Sequence, residues 1–235
     1  MSLQQRDRFI QHIFSTVAPH VDMLSRIFSF GLDRFWRNKT VDLSGIREGE
    51  RVLDVCTGTG DTALLLSKKV GPGGSVVGAD FCEQMLDRAK KKTGDSHRNI
   101  TYYLSDAKDL HFADNTFDAV TVAFGIRNIP DTILALREIR RVLKSGGTFV
   151  CLELTLPRAQ WLRALHQWYV FTIMPFFGKL VVKTAAPYLY LPRSINAFYP
   201  PDEFKQVIAR CGFSGVTVVS LTMGVATIYR AVKDG

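Results

Sequence analysis

The stretch Val52-Leu53-Asp54-Val55-Cys56-Thr57-Gly58-Thr59-Gly60-Asp61 constrains the fold more than any other. An apolar run ends in an acidic, glycine-rich turn, and Thr62-Ala63-Leu64-Leu65-Leu66 then opens a helical pattern. Strand, tight turn, helix is how an α/β sheet presents a nucleotide-like ligand at the carboxyl end of its first strand. Gly58 and Gly60 let the backbone turn sharply and approach a ligand with no Cβ in the way. Asp54 closes the strand, where a carboxylate can face the crevice.

The ligand follows from charge. Gly58-x-Gly60-x-x-Ala63 formally fits the loose dinucleotide pattern, which alone is weak. Asp54 precedes the turn and Asp61 follows it at the helix start, where a carboxylate suits the helix but repels a pyrophosphate. Such a site suits a cation with hydroxyls and an amine, and S-adenosylmethionine is one. The plainer reading makes Asp54 a strand-end residue and Asp61 a helix cap.

Alternation continues to residue 154. Residues 51–56 read as strand one and 62–70 as a helix stopped by Gly71-Pro72-Gly73-Gly74. Residues 75–80 form strand two, ending in Asp80 about twenty positions after Gly60, the place for an acid that takes both ribose hydroxyls. A helix over 83–92, strand three over 100–104 and Ser105-Asp106-Ala107 follow; an acid there can accept an exocyclic adenine amine. Strand four covers 117–124 and leads into the loop Gly125-Ile126-Arg127-Asn128-Ile129-Pro130-Asp131. Asp131 caps a helix to residue 143, Gly146-Gly147 ends that segment, and 148–154 is strand five. Asp54, Asp80 and Asp106 thus end three strands at one sheet edge.

The flanks break this pattern. Residues 1–48 hold amphipathic helices with Phe9, Ile13, Phe14 and Val17 at helical spacing; they are either sheet packing or a lid over the cofactor. Residues 157–200 are aromatic and proline-punctuated, with Trp161, Trp168, Tyr169, Phe171, Phe176, Phe177, Tyr188, Tyr190, Phe198 and Tyr199 beside Lys179, Lys183 and Arg193. This insert is a second small core or a pocket for a large apolar substrate that touches a membrane. A helix from residue 201 to 211 precedes strands over 216–221 and 225–232, an antiparallel edge pair. Residues 1–235 make one domain: helices to 48, a binding core over 49–156, the insert, and a closing helix and strands over 201–235.

Lys and Arg outnumber Asp and Glu by 30 to 22, a net charge of +8. Much of the excess falls in 88–92 and 137–144, without interleaved aromatics, which reads as solvated helix faces rather than a nucleic-acid groove. Cys56, Cys82, Cys151 and Cys211 are scattered, so no metal or thioredoxin-like spacing arises, and reduced thiols of a cytoplasmic setting are expected. The polar opening residues carry no signal peptide. The apolar run 168–177 is about half the roughly 20 residues of a spanning helix.

These residues together resemble class I S-adenosylmethionine-dependent methyltransferases over about residues 45–155 and in the final strands. Within that class the chain is similar to the ubiquinone/menaquinone-biosynthesis C-methyltransferases. Four stretches carry the likeness: Asp22-Met23-Leu24-Ser25 through Phe30-Gly31 to Trp36-Arg37; Phe124-Gly125-Ile126-Arg127-Asn128; Arg141 to Gly147 through Glu153; and Tyr188-Leu189-Tyr190-Leu191-Pro192-Arg193-Ser194-Ile195. The chain departs from the family pattern at Val21, Ser25, Asp33, Ala123 and Ser145. The resemblance implies a doubly wound, Rossmann-like, mostly parallel α/β sheet with an antiparallel carboxyl-terminal pair, an amino-terminal helical lid and a helical insert. It implies methyl transfer to a ring carbon of a polyprenylated quinol, with demethylmenaquinol the expected substrate and a benzoquinol the alternative. It places Thr59, Asp80, Asp106 and Ala107 at the cofactor, beside Asp54, Gly58 and Gly60 from the turn itself. Arg127 and Asn128 would then lie beside the substrate ring.

Quinol ionisation makes the ring carbon nucleophilic, and Arg127 can stabilise the oxyanion or simply bridge carboxylates. Water on Asn128, Asp22 or His166 are the candidate proton acceptors. Expected partners are the quinol and the inner face of the cytoplasmic membrane, with no nucleic acid; a homodimer is compatible with the sequence. The rival readings are an NAD-linked oxidoreductase, a small-molecule O- or N-methyltransferase, and a non-enzymatic membrane or nucleic-acid binding module.

Overall fold

The computed structural model describes residues 3–176 and 186–235. Among these, seven strands form one sheet in the order β3-β2-β1-β4-β5-β7-β6. The strands are β1 (Arg51–Val55), β2 (Ser75–Asp80), β3 (Ile100–Leu104), β4 (Phe117–Ala123), β5 (Leu143–Leu154), β6 (Phe213–Leu221) and β7 (Ala226–Lys233). Strands β1 to β5 are parallel, while β7 runs antiparallel to both β5 and β6. The order reverses between β1 and β4. An open α/β sheet leaves a crevice at that point, at the carboxyl ends of its strands.

Apolar residues on both sides of the strands account for the layers. Leu53, Val55, Val120 and Phe149 pack with Leu136, Ile139, Phe204 and Ile208, from α6 (Thr132–Val142) and α9 (Pro201–Arg210). On the other face Val52, Val76 and Ala119 pack with Val41, Ala63 and Leu66, from α3 (Leu32–Leu43) and α4 (Asp61–Val70). Burying each of the larger of these side chains contributes about 1.5–3 kcal/mol. Helix α5 (Glu83–Thr93) packs on β2 and β3.

The parallel core follows the sequence pattern closely, and Asp131 caps α6 by accepting from the Leu134 amide at 3.0 Å. Two boundaries differ. Gly146 and Gly147 do not follow the helix; they lie within β5, where the pairing with β4 shifts register. Strand β6 begins at Phe213 rather than at residue 216 because Gly215, with φ of 57°, takes up the register shift between Ser214 and Thr217. A glycine accepts the left-handed conformation that such bulges require. The closing pair is antiparallel, but only β6 is an edge, since β7 lies inside the sheet.

Helices α1 (Leu3–Val17) and α2 (Val21–Phe28) lie over the carboxyl edge. Gln11 reaches the Phe81 carbonyl at 3.2 Å, and Lys108 bonds Asp7 at 2.7 Å. The insert holds α7 (Gln160–Trp168), a π-helical turn at Tyr169–Ile173 and α8 (Ala186–Ala197). Its aromatics divide three ways. Phe198 and Tyr199 join the main core against Phe204, Tyr169 and Tyr190 line the crevice, and Trp161 and Trp168 are exposed. Phe177, Lys179 and Lys183 lie outside the described residues, as does the Tyr188 side chain. No helix of the described residues is long and apolar enough to cross a membrane.

Candidate active site

A cavity of about 500 Å³ opens at the carboxyl edge, within the range of about 300–1,000 Å³ common for ligand sites. Its floor is the loops after β1 and β4. Cys56 and Phe124, the residues following these strands, both take left-handed backbone conformations at φ of 55° and 62°. A bulky residue there stores roughly 1–3 kcal/mol of strain, and such strain concentrates at functional sites. Gly125 lets the two loops cross, because a Cβ on it would run into the Cys56 side chain.

The acids divide in role. Asp80 is buried; its carboxylate accepts from the Gly58 amide at 2.8 Å and the Cys82 amide at 2.9 Å. Burial lifts its pKa to about 6 against those hydrogen bonds. Asp106 is half-exposed on the rim, accepting from the Lys108 amide at 2.9 Å, with Ala107 beside it. Asp80, Asp106, Ala107, Gly58 and Thr59 all line the cavity. Asp54 and Gly60 lie behind that lining. The Asp54 carboxylate accepts from the Thr57 hydroxyl at 2.7 Å and the Thr121 hydroxyl at 2.6 Å, which ties β1, its turn and β4 together. Gly60 has φ of 83°, and a Cβ on it would stand 2.5 Å from the Tyr102 hydroxyl oxygen.

Arg127 and Asn128 sit in the 3₁₀ turn Ile126–Asn128 after β4. Arg127 is buried and its Nη1 donates to Glu153 Oε1 at 2.5 Å and to the Phe124 carbonyl at 2.7 Å. Its Nε reaches the Ser194 hydroxyl at 3.3 Å. Burial pushes the Glu153 carboxyl up, opposed by the guanidinium. Asn128 accepts from the Tyr190 hydroxyl at 2.9 Å. Both line the cavity and bond Ser194 and Tyr190 of the segment 186–197, which also supplies Leu191 and Ile195 to the apolar wall.

Three further side chains take part, to which the sequence assigns no role. Lys92, in a basic run that reads as a solvated face, bonds Asp22 at 2.6 Å, Asp61 at 2.7 Å and Thr59 at 3.0 Å. Asp22 also accepts from the Thr59 hydroxyl, so α2, α4 and α5 meet at the cavity mouth. Arg37 donates to Thr62 at 2.6 Å and lies 5.0 Å from the Phe124 ring centroid. Glu153 carried a signal: a lone acid in an apolar strand requires a buried cation.

The residues present fit a cationic nucleoside. A buried carboxylate borders the cavity beside a glycine amide, and the glycine turn keeps side chains out of the approach. The fold and this site define an S-adenosylmethionine-dependent methyltransferase. Solved structures share the fold: an S-adenosylmethionine-dependent methyltransferase from Aquifex aeolicus is 23% identical at a TM-score of 0.64, covering 85% of this chain and 90% of that one. A phosphoethanolamine N-methyltransferase from Haemonchus contortus, in complex with S-adenosylhomocysteine, is 17% identical at 0.65, covering 85% of this chain and 52% of that one. The chain belongs to the ubiE/COQ5 methyltransferase family, whose profile matches residues 2–233. It is 41% identical over 225 residues to the demethylmenaquinone methyltransferase of Staphylococcus aureus strain JH9, 96% of this chain and 93% of that protein.

Proposed function

We propose that the chain methylates a ring carbon of a polyprenylated quinol, demethylmenaquinol in particular. The observation that carries this reading is the continuity of one cavity from Asp80 and Asp106 through Arg127 and Asn128 to the apolar insert. The extensive likeness to a demethylmenaquinone methyltransferase supports the naphthoquinol over the benzoquinol. In this reading Asp80 takes the ribose hydroxyls and Asp106 the adenine amine.

The cofactor supplies an already electrophilic methyl group. The protein's task is alignment and activation of the nucleophile. Arg127, held by Glu153 and the Phe124 carbonyl, stabilises the negative charge that a quinol hydroxyl develops on losing its proton. Electron density then reaches the adjacent ring carbon, which would take the methyl in line as the bond between methyl and sulfur breaks and its electron pair stays on the departing neutral thioether. Loss of that carbon's own proton restores the aromatic quinol. Asn128, oriented by Tyr190, positions the ring or a water. Asp22 is already engaged by Thr59 and Lys92, whereas His166 borders the cavity and burial lowers its pKa, leaving it neutral and able to accept a proton. Exclusion of water by α1, α2 and α7 strengthens these interactions.

The polyprenyl tail implies peripheral contact with a membrane, and the reduced thiols fit the cytoplasmic side. The test is incubation with labelled S-adenosylmethionine and each quinol, followed by mass measurement of the lipid. A product heavier by one methyl on the naphthoquinol is expected; product from neither quinol overturns the reading.

A further inference from the structure

Helix α7 has no fully buried residue. One side of it faces the cavity through Leu162 and His166. Another side carries Trp161, Leu165 and Trp168, which are 67%, 52% and 56% exposed. Their spacing of four and three residues puts them on one stripe. Helix α2 and the turn after it repeat the arrangement. Met23, Ile27 and Phe30 are 47%, 55% and 79% exposed, again four and three apart.

The two stripes adjoin. The Tyr169 hydroxyl donates to the Phe28 carbonyl at 3.1 Å, and the Phe30 and Tyr169 rings lie 5.7 Å apart. Phe28, Phe30 and Tyr169 also line the cavity, so the exposed surface runs along its mouth. Phe30 holds a left-handed backbone at φ of 54° while presenting its ring outward. An isolated exposed leucine calls for no explanation, but a continuous aromatic rim around a ligand cavity does.

Charge identifies the occupant. Between Glu153 and Asp202 the sequence has no carboxylate side chain and five basic ones: Arg158, Arg163, Lys179, Lys183 and Arg193. Arg163 lies on α7 itself; Arg158, just before it, is paired with Asp202 at 3.0 Å, so the basic excess rests on the other four. Tryptophan beside arginine is the composition of a surface seated at a lipid–water boundary. We propose that the α2 and α7 stripes dock on an anionic lipid bilayer. Resting on the quinol reading, this places the cavity mouth on the membrane, so the ring enters while the tail stays in lipid.

The test sediments the full chain with vesicles of phosphatidylcholine alone or mixed with phosphatidylglycerol. Binding to the mixed vesicles is expected, with a blue-shifted tryptophan emission that reverts as salt is raised. The paired change Trp161→Ser with Trp168→Ser, and separately Leu165→Asp, should each weaken binding by roughly tenfold or more. Turnover on a soluble, short-tailed quinol should be unchanged in both, and turnover on vesicle-embedded quinol should fall. Equal binding by wild type and variants overturns the docking face. So does a wild-type dimer in ultracentrifugation that the paired change makes monomeric, because the stripes would then bind a second copy. Methylation of soluble quinol without vesicle binding overturns the docking face alone. Vesicle binding without methylation of any quinol overturns the substrate reading and the delivery role with it.

Discussion

Arg127 and Glu153 form a buried ion pair, 2.5 Å between Nη1 and Oε1, that joins the turn after β4 to the middle of the sheet. Removing one partner of such a pair leaves an uncompensated charge and costs about 3–5 kcal/mol. Arg127→Ala should therefore lower both stability and turnover, which by itself separates nothing. The paired change Arg127→Met with Glu153→Gln removes both charges and should recover most of the stability without recovering turnover. Thermal unfolding and methyl-transfer rates of the two singles and the double decide the matter. Recovery of turnover along with stability would make Arg127 a structural residue only.

With Asp80 as the ribose ligand proposed above, cofactor binding should respond to pH in a definite direction. Its carboxyl sits at about 6 because burial outweighs the hydrogen bonds from Cys82 and Gly58. Above that value it is ionised and accepts hydroxyl hydrogen bonds; below it the proton must leave before the ligand binds. Cofactor affinity should thus be constant above about pH 7 and fall up to about tenfold per unit below about pH 6. The sign for unliganded stability is opposite. Between the ordinary carboxylate value of 3.8 and about 6 the folded state holds a proton that the unfolded state has lost, so this group favours the fold as pH falls. Calorimetric titration across this range reads the first effect. Asp80→Asn should bind about 10–100-fold more weakly and flatten the profile.

Lys92 links three elements at the cavity mouth. Its ammonium and its partners Asp22 and Asp61 are about a quarter to a third exposed, so each pair contributes only about 1 kcal/mol or less to global stability. The local consequence is larger, because Asp22 fastens α2. Lys92→Met should leave the unfolding midpoint nearly unchanged, raise amide exchange over residues 21–28 by about fivefold or more, and speed cofactor release. Unchanged exchange there would mean that the Thr59–Asp22 and Tyr169–Phe28 hydrogen bonds and the packing of Leu24 hold the helix without Lys92.

The parallel core was legible because its signals are local: apolar strands, glycine turns and an acid at or near the end of each of three strands. Asp80 and Asp106 fell at the cavity for that reason. Asp54 satisfied the same pattern, yet its oxygens are taken by Thr57 and Thr121. The difference is the second hydroxyl, 67 residues away on the neighbouring strand β4, which strand order must supply. Lys92 was hidden likewise: its partners lie on α2 and α4, far apart along the chain. The insert was legible as aromatic but not as divided, since the partial burial of Phe198 and the exposure of Trp168 depend on which element passes behind each.

Tyr190 offers the most discriminating substitution. Its hydroxyl donates to Asn128 Oδ1 at 2.9 Å, while Asn128 Nδ2 reaches the Phe124 carbonyl at 3.3 Å. The amide is thus fixed at both ends, and Tyr190 decides which way it faces. The Phe9 ring packs edge-on against Tyr190 at 5.9 Å, so the ring should stay in place without its hydroxyl. Tyr190→Phe removes one hydrogen bond of about 0.5–1.5 kcal/mol. If that bond orients Asn128 toward the reacting ring, turnover falls about 2–12-fold while cofactor affinity holds and the unfolding midpoint drops by only about 1–6 °C. A change in KM for the quinol with kcat intact would assign Tyr190 to ring binding instead. An equal loss of cofactor affinity would mean that Asn128 serves the other end of the cavity.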